Sequence, residues 1–131
     1  MKRRPLKCAR NMTPTIKELD SLWSKAVKLR AGMKSEYPFS GGRGYLQSHH
    51  LVGKPTLSLR YNLDNGVCIT QGQHYHIAHS TGRAQQFKEW ALKHRGVTEE
   101  TLTMRKYNRI DKFLTKYYLQ SIIKELEGKA L

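Results

Sequence analysis

The segment SHHLVGKPTLSLRYNLDNGVCITQGQHYHIAH, residues 48–79, belongs to a 131-residue chain with six histidines. Five of the six lie in it: His49, His50, His74, His76 and His79. Neutral imidazole is the commonest protein ligand for Zn²⁺, Ni²⁺ or Cu²⁺, and its pKa lies close to physiological pH. The clustering therefore indicates a metal site, a general base, or both.

Two short runs in and around this segment have the composition of strands. GYLQSHHLV, residues 44–52, alternates in part, and VCIT, residues 67–70, is apolar and partly β-branched. The residues between them predict mostly loop, and QGQHYHIAHS, residues 71–80, predicts the start of a helix. Neighbouring side chains of a strand face opposite sides. His49 can therefore bind a metal while His50 reaches another part of the same cleft, with further ligands coming from the helix.

Three longer segments predict helices that flank this region. A capping box at Thr15 begins a helix over residues 15–31, and RAQQFKEWALKHRG predicts another over residues 83–95. A last helix is predicted over residues 108–127, with Asn108 as its N-cap. Its apolar stripe, which we expect in the core, consists of Ile110, Phe113, Leu114, Tyr117 and Ile122.

The charge balance points to a polyanionic partner. The chain has 24 Lys and Arg against 10 Asp and Glu, a net charge of +14, and so basic a surface favours DNA or RNA. Solvated lysine faces or an anionic membrane surface are the alternatives, and no run approaches the roughly 18 apolar residues of a spanning helix. We expect residues 1–12 to form a flexible basic arm, not a secretory signal, and residues 13–131 to form a single domain.

The two cysteines, Cys8 and Cys68, lie far apart in the sequence and form no Cys-x-x-Cys pair. This spacing argues against a disulfide framework and favours a reducing cytoplasm. The histidine pattern instead suits phosphodiester hydrolysis, which needs a metal to neutralise phosphate charge and a base to deprotonate water. A histidine pair on a strand and one or two histidines on a facing helix can supply both.

The order His49-His50, Asn65, His74 resembles that of the HNH endonucleases, the ββα-metal superfamily. The segments HHLVGK, LRYNLDNGVCIT, HYHIAH and FKEWALKHRG are further similar to phage recombination nucleases related to lambda NinG. The resemblance covers residues 20–105. It implies an α+β fold: a small ββα-metal (HNH) core over about residues 43–82, with an N-terminal helix and additional C-terminal helices.

The resemblance also implies roles for individual residues. His49 and His74 correspond to metal ligands, His50 to the general base that activates water, and Asn65 to the residue that braces the loop and orients the base. Arg60 corresponds to a residue that holds the scissile phosphate. Further phosphate contacts are expected from basic residues in the same region and in the arm, namely Lys54, Arg43, Arg3 and Arg4.

For His79 and His76, the other two histidines of this helix, the resemblance gives no direct correspondence. Many members have a second helical ligand four residues after the first, a position held here by Ala78. His79 comes one residue later, so it ligates only if the helix is distorted or ends early. An ideal helix that directs His74 toward the strand turns His76 away by about 200°.

The sequence departs from the nucleases that it resembles at a structural zinc site. Many of them carry two Cys-x-x-Cys pairs, which would fall at Ser35 and Pro38 and at Thr70 and Gln73. None of these residues is a cysteine, so no structural zinc is expected. Packing of the flanking helices must hold the core instead, through residues such as Trp23, Phe87, Trp90 and Phe113.

The resemblance therefore implies a metal-dependent DNA endonuclease, a hydrolase with one divalent ion on His49 and His74. It further implies a phage protein that acts in DNA recombination, repair or processing in the host cytoplasm, as a monomer or homodimer. Mg²⁺ or Mn²⁺ is expected in the cell, although imidazole ligands also suit Zn²⁺ or Ni²⁺. The alternatives are a non-catalytic nucleic-acid-binding protein on a decayed nuclease fold and, last, a histidine-rich metal store.

Overall fold

A computed structural model of the chain describes residues 13–39, 44–53 and 56–129. In these ranges helices surround a two-stranded antiparallel sheet, which agrees with the predicted α+β class. The arm predicted over residues 1–12 lies outside the described residues. So do four of the predicted phosphate contacts: Arg3, Arg4, Arg43 and Lys54.

The sheet consists of β1 (Leu46–His50) and β2 (Gly66–Thr70). The strands pair antiparallel, with His49 opposite Val67 and His50 opposite Gly66. Both predicted strands are confirmed, although β1 is shorter than residues 44–52.

The connection between the strands is more ordered than the sequence predicts. It contains a short helix, α2 (Leu57–Arg60), and a 3-10 turn (Leu63–Asn65) that leads directly into β2. Asn62 caps this turn, because its side-chain oxygen accepts a hydrogen bond from the backbone N–H of Asp64 at 2.9 Å. The polar, loop-like composition of this connection therefore did not indicate its two helical turns.

The N-terminal helix forms as predicted. α1 spans Ile16–Arg30, and the Thr15 hydroxyl accepts a hydrogen bond from the backbone N–H of Glu18 at 3.0 Å. Its residues at helical spacing are buried against the sheet and the last helix: Leu19, Trp23, Ala26 and Val27.

The chain after β2 forms two helices. α3 (Gln71–Gln73) continues without a break into a π-helix over His74–Ala78, and α4 (Ala84–Arg95) follows. α4 ends at Gly96, whose φ of 72° lies in the left-handed region that favours glycine. The predicted end of this helix is thus confirmed.

Two helices complete the chain. The segment TEETLTMRKYN forms α5 (Glu99–Met104) and a 3-10 turn (Arg105–Tyr107). The sequence predicts either a brief helix or a linker for this segment. α6 spans Lys112–Lys129. The prediction of Asn108 as its N-cap is wrong, because the Asp111 carboxylate accepts a hydrogen bond from the Leu114 N–H at 3.1 Å.

In the described part of the chain, no helix is both long and apolar enough to cross a membrane.

The helices cover both faces of the sheet, which explains why every residue of β2 is buried. On one face, Val67 and Ile69 pack in a cluster with Phe87 of α4. On the other, Cys68 packs with Trp23 of α1 and Leu119 of α6. The sheet thus forms the middle of three layers.

The apolar stripe predicted for the last helix is wrong for three of its five residues, whereas Ile110 and Ile122 pack against the core as predicted. Phe113, Leu114 and Tyr117 are 43%, 67% and 67% exposed. The buried residues of α6 are instead Leu119 and Ile123, which pack in the cluster that α1 contributes to. Both sides of α6 carry apolar residues, and the position of α1 decides which side is covered.

Candidate metal centre

Three histidines from separate positions in the sequence meet at one side of the sheet. His49 comes from β1, His74 from the first position of the π-helix, and His79 from the residue just after it. One nitrogen of each ring lies within 4.8 Å of the others. Among the described residues this is the one group of three such side chains with metal-ligand spacing.

The π-helix explains how His79 reaches this group. A π-turn joins residues five apart by a backbone hydrogen bond, so His79 lies about one turn beyond His74. The helix is therefore distorted over these residues and ends before His79. A regular helix would instead direct the His79 side chain away from His74. The Nε2 atoms of His74 and His79 are 2.9 Å apart. His76 is exposed and does not belong to the group.

The protonation pattern of His74 is set by Gln47 of β1. The Gln47 Oε1 atom can only accept, so His74 donates its Nδ1–H across 2.6 Å. In the neutral ring, Nε2 then carries the lone pair, and this atom faces Nε2 of His79. Either a proton or a cation must lie between two such nitrogens.

The distance between the His74 and His79 nitrogens is close to the distance expected around a divalent cation. Two imidazole nitrogens bound to one tetrahedral Zn²⁺ at about 2.0–2.1 Å are about 3.3 Å apart. The observed 2.9 Å between His74 and His79 therefore needs only a small adjustment. Nitrogen donors of this kind suit Zn²⁺, Ni²⁺ or Cu²⁺ in particular.

His49 is held in the form that binds metals. Burial, together with the nearby His74, His79 and His50 rings, lowers the pKa of His49 from 6.5 to about 3. The edge-on packing of its ring against Phe87, with 5.5 Å between centroids, contributes to this apolar environment. At neutral pH the ring is uncharged, as a metal ligand must be.

His50 projects from the opposite face of β1. Its Nε2 lies 2.9 Å from the backbone carbonyl oxygen of Arg60, which can only accept, so Nε2 carries the proton. In the neutral ring, Nδ1 therefore has the lone pair. The His50 ring stacks on Trp23, whose Nε1–H donates to the Asn62 carbonyl at 3.0 Å.

One cleft of about 260 Å³ contacts both His49 and His50. Helix α4 forms its other wall, with Gln85 and Lys88 among the lining residues. The Lys88 ammonium lies 2.8 Å from a Glu99 carboxylate oxygen, so it adds a positive charge at the rim that is partly neutralised. The cleft provides a place where one ligand can reach the imidazoles of both faces.

The predicted loop residue Asn65 is completely buried. Its Oδ1 accepts the Val52 N–H at 2.8 Å, and its Nδ2 donates to the carbonyls of Val52 and Leu59 at 2.9 and 3.1 Å. These hydrogen bonds tie both ends of the interstrand connection together. Because the connection includes Arg60, they also fix the carbonyl that holds His50.

Arg60 contacts a carboxylate of its own chain. Its Nε and Nη2 atoms bind the two carboxylate oxygens of Asp20 at 2.7 and 2.6 Å. A phosphate would have to compete with this bidentate pair, whereas the backbone of Arg60 already contacts His50. The predicted phosphate role of Arg60 stays a prediction.

Three of the four positions at which the structural zinc cysteines would fall, Ser35, Thr70 and Gln73, are joined by hydrogen bonds instead. Gln73 is 1% exposed, and its Oε1 accepts from the Ser35 hydroxyl and from the Thr70 N–H. Its Nε2 donates to the carbonyls of Tyr37 and Phe39 at 3.1 and 3.3 Å. One buried amide therefore connects the loop after α1 to the start of α3.

Sequence reasoning missed several residues that shape the site. Gln47 had a usable signal, because it lies two residues before His49 and so on the same face of the strand. Gln85 and Lys88 follow from the position of α4, and Trp23 comes from a helix outside the motif. No sequence pattern places these three residues beside the histidines.

Comparison with known proteins adds no relative to this description. No protein-family model matches the chain, and searches of curated proteins and of solved structures found no match. A functional proposal therefore depends on the motif and on the geometry of the site.

Proposed function

We propose that this chain is a metal-dependent endonuclease that hydrolyses DNA phosphodiester bonds on a ββα-metal core. One observation carries the proposal: three imidazoles converge within metal-ligand distance beside a fourth, His50, whose orientation is fixed. The order strand, strand, helix that brings them together, from β1 through β2 to α3, is the order that the motif implies.

His49, His74 and His79 are the proposed metal ligands. A divalent cation held there would neutralise charge on the scissile phosphate and on the leaving oxygen. The three nitrogen donors favour Zn²⁺ or Ni²⁺ in affinity, while Mg²⁺ or Mn²⁺ remains the expectation from cellular supply. The lone pair that Gln47 leaves on Nε2 of His74 supports this assignment.

His50 is the proposed general base. The neutral ring accepts a proton from water at Nδ1, while Nε2–H stays bound to the Arg60 carbonyl. The water oxygen forms a bond to phosphorus as the bond from phosphorus to the 3′-oxygen breaks. The departing 3′-oxygen takes up a proton from solvent, so the products are a 5′-phosphate and a 3′-hydroxyl. Trp23 holds the ring during this proton transfer, because the two rings stack.

The net charge of +14 supports a nucleic-acid substrate. Lysine and arginine contacts to phosphates position a protein on DNA without reading its sequence. We propose Lys88 at the cleft for such a contact, and Arg60, Lys54, Arg43, Arg3 and Arg4 remain proposed for the same role. A phage origin and a role in recombination, repair or processing are proposed from the resemblance alone.

The test is cleavage of supercoiled plasmid by purified protein with Mg²⁺, Mn²⁺, Ni²⁺ or Zn²⁺, and with EDTA. We expect metal-dependent nicking by wild type and a rate at least about 100-fold lower for His50→Ala, since a positioned base typically contributes about 10²–10⁴-fold. His76→Ala is the matched control, an exposed histidine outside the cluster, and it should cut normally.

Titration of metal into each variant separates the two roles. His50→Ala should bind metal as wild type does, whereas His49→Ala and His74→Ala should lose binding. If His50→Ala cuts as fast as wild type, the base assignment is wrong. If the wild type binds DNA but cuts with none of the metals, the chain is the non-catalytic binding protein considered as the alternative.

A further inference from the structure

The outside of α6 exposes four large apolar side chains that the core does not use. Phe113, Leu114, Tyr117 and Tyr118 are 43%, 67%, 67% and 55% exposed, and we call them the outer aromatic surface. Phe113 and Tyr117, like Leu114 and Tyr118, are four residues apart and so adjoin on the helix. A contiguous patch of this kind marks a binding surface.

The outer aromatic surface borders a groove. A cavity of about 330 Å³ lies where α6 begins, and Leu114 and Tyr118 form part of its wall. Ser58 of α2 and Tyr61, just after it, line the other side, and Arg109 and Asp111 contribute a guanidinium and a carboxylate. The groove thus combines tyrosine rings with polar groups of both charges.

Lysines lie on α6 and just before it. Lys124 is exposed and follows Tyr117 by seven residues, which places both on one side of the helix. The exposed ring of Tyr107, just before α6, has the Lys106 ammonium 5.1 Å from its centroid. Aromatic rings alternating with cations are the combination that binds single-stranded nucleic acid, because bases stack on the rings and phosphates meet the charges.

We infer that the outer aromatic surface binds unpaired bases of a nucleic-acid strand, with Tyr117 and Phe113 as stacking platforms. The inference rests on the proposed function for its choice of nucleic acid as the partner. It deepens that proposal by naming the substrate class, DNA or RNA with a single-stranded stretch, in place of a uniform duplex.

A second copy of the chain fits this surface less well. A whole aromatic side chain covers about 150–250 Å², so four half-exposed residues offer only about 500 Å², below the roughly 800 Å² per partner of a stable interface. Two chains of charge +14 also repel each other. Charge complementarity therefore favours a polyanion.

The surface is connected to the candidate metal centre through α2. Arg60, the last residue of α2, holds His50 through its carbonyl, while Ser58 and Tyr61 line the groove. A strand bound on the outer aromatic surface would thus lie one short helix away from the proposed base.

The experiment measures binding without cleavage, by fluorescence anisotropy of a labelled single strand and of the matched duplex in EDTA. Tyr117→Leu keeps an apolar helix former but removes the ring, Tyr117→Phe keeps the ring, and Tyr45→Leu changes an equally exposed tyrosine elsewhere. We expect Tyr117→Leu to weaken single-strand binding about ten-fold. Duplex binding should change by less than about two-fold, because it depends on phosphate charge. The two control variants should bind as wild type does.

The inference is overturned if Tyr117→Leu binds the single strand as wild type does, or loses single strand and duplex equally. It is also overturned if sedimentation shows a dimer that Tyr117→Leu dissociates while oligonucleotide affinity is unchanged. A wild type that binds the single strand but never cuts DNA would overturn the nuclease proposal and leave this inference standing. A wild type that cuts DNA but binds the single strand no more tightly than the duplex would overturn this inference and leave the nuclease proposal standing.

Discussion

The His50 ring lies flat against the Trp23 indole, with 4.0 Å between the ring centroids and 6° between the planes. Trp23 belongs to α1, so an element outside the strand–strand–helix unit contacts the residue proposed as base. The indole is fixed in turn, because its Nε1–H donates to the Asn62 carbonyl. The N-terminal helix is thus part of the site as well as part of the core.

Gly66 makes room for this stack. A Cβ atom at this position would lie 2.5 Å from Cζ2 of Trp23. We expect Gly66→Ala to displace the indole from His50 and to lower the free energy of unfolding by about 1–3 kcal/mol. Urea unfolding measures the loss. Gly82→Ala, where nothing lies within 4 Å of the added Cβ, is the control and should change stability by less than about 1 kcal/mol.

Gln47 should control metal affinity through His74. Gln47→Leu removes the acceptor that fixes the ring, and we expect metal affinity to fall by about 10- to 100-fold. Calorimetric titration of Zn²⁺ measures this directly. Gln47→Glu keeps an acceptor and should bind at least as well as wild type. The control is Gln85→Leu, which changes a cleft residue whose side-chain amide donates to Glu89 at 3.1 Å. Equal affinities for Gln47→Leu and wild type would refute the role of Gln47.

The pKa of His49 predicts acid sensitivity in metal-free protein. The folded pKa of about 3 lies below the unfolded value of 6.5, so the unfolded state binds more protons between these pH values. Stability should be at its full value above pH 6.5 and should fall as the pH drops toward 3. Urea midpoints across this range measure the slope in EDTA. His49→Gln removes the titrating ring, and its slope should be shallower; an unchanged slope would contradict the assignment.

Gln73 should be needed for stability. Gln73→Leu has a similar size but leaves the buried Thr70 N–H without its acceptor, and it removes the amide that donates to the Tyr37 and Phe39 carbonyls. Unsatisfied buried groups each cost about 1–3 kcal/mol, so we expect a total loss of about 2–4 kcal/mol in urea unfolding. Gln86→Leu, on the exposed face of α4, is the control and should unfold as wild type does. A small loss for Gln73→Leu would show that the loop is held mainly by packing.

Much of the fold could be predicted from local sequence signals. The cap at Thr15, the glycine that ends α4 and the short apolar run of β2 each depend on residues close in the chain. The convergence of His49 and His74 followed from the motif. These features need no knowledge of distant contacts.

The incorrect predictions concern features that depend on tertiary packing. α6 carries apolar residues on two sides, and only contact with α1 determines that Leu119 is buried while Tyr117 is exposed. The position of His79 beside His74 depends on the width of one helical turn, which periodicity assumes to be regular. The stack of Trp23 on His50 joins residues 27 positions apart, beyond the reach of any local pattern.

The wide turn over His74–Ala78 has a consequence for how this site tolerates changes in length. The rings of His74 and His79 lie side by side because the π-turn between them contains one residue more than a regular helical turn. Shortening that turn by a single residue, for instance by removing His76, would give the four-residue interval of a regular helix, at which side chains again share a face. The segment can therefore lose one residue here without separating the two rings, provided that the backbone hydrogen bonds change to the pattern of a regular helix.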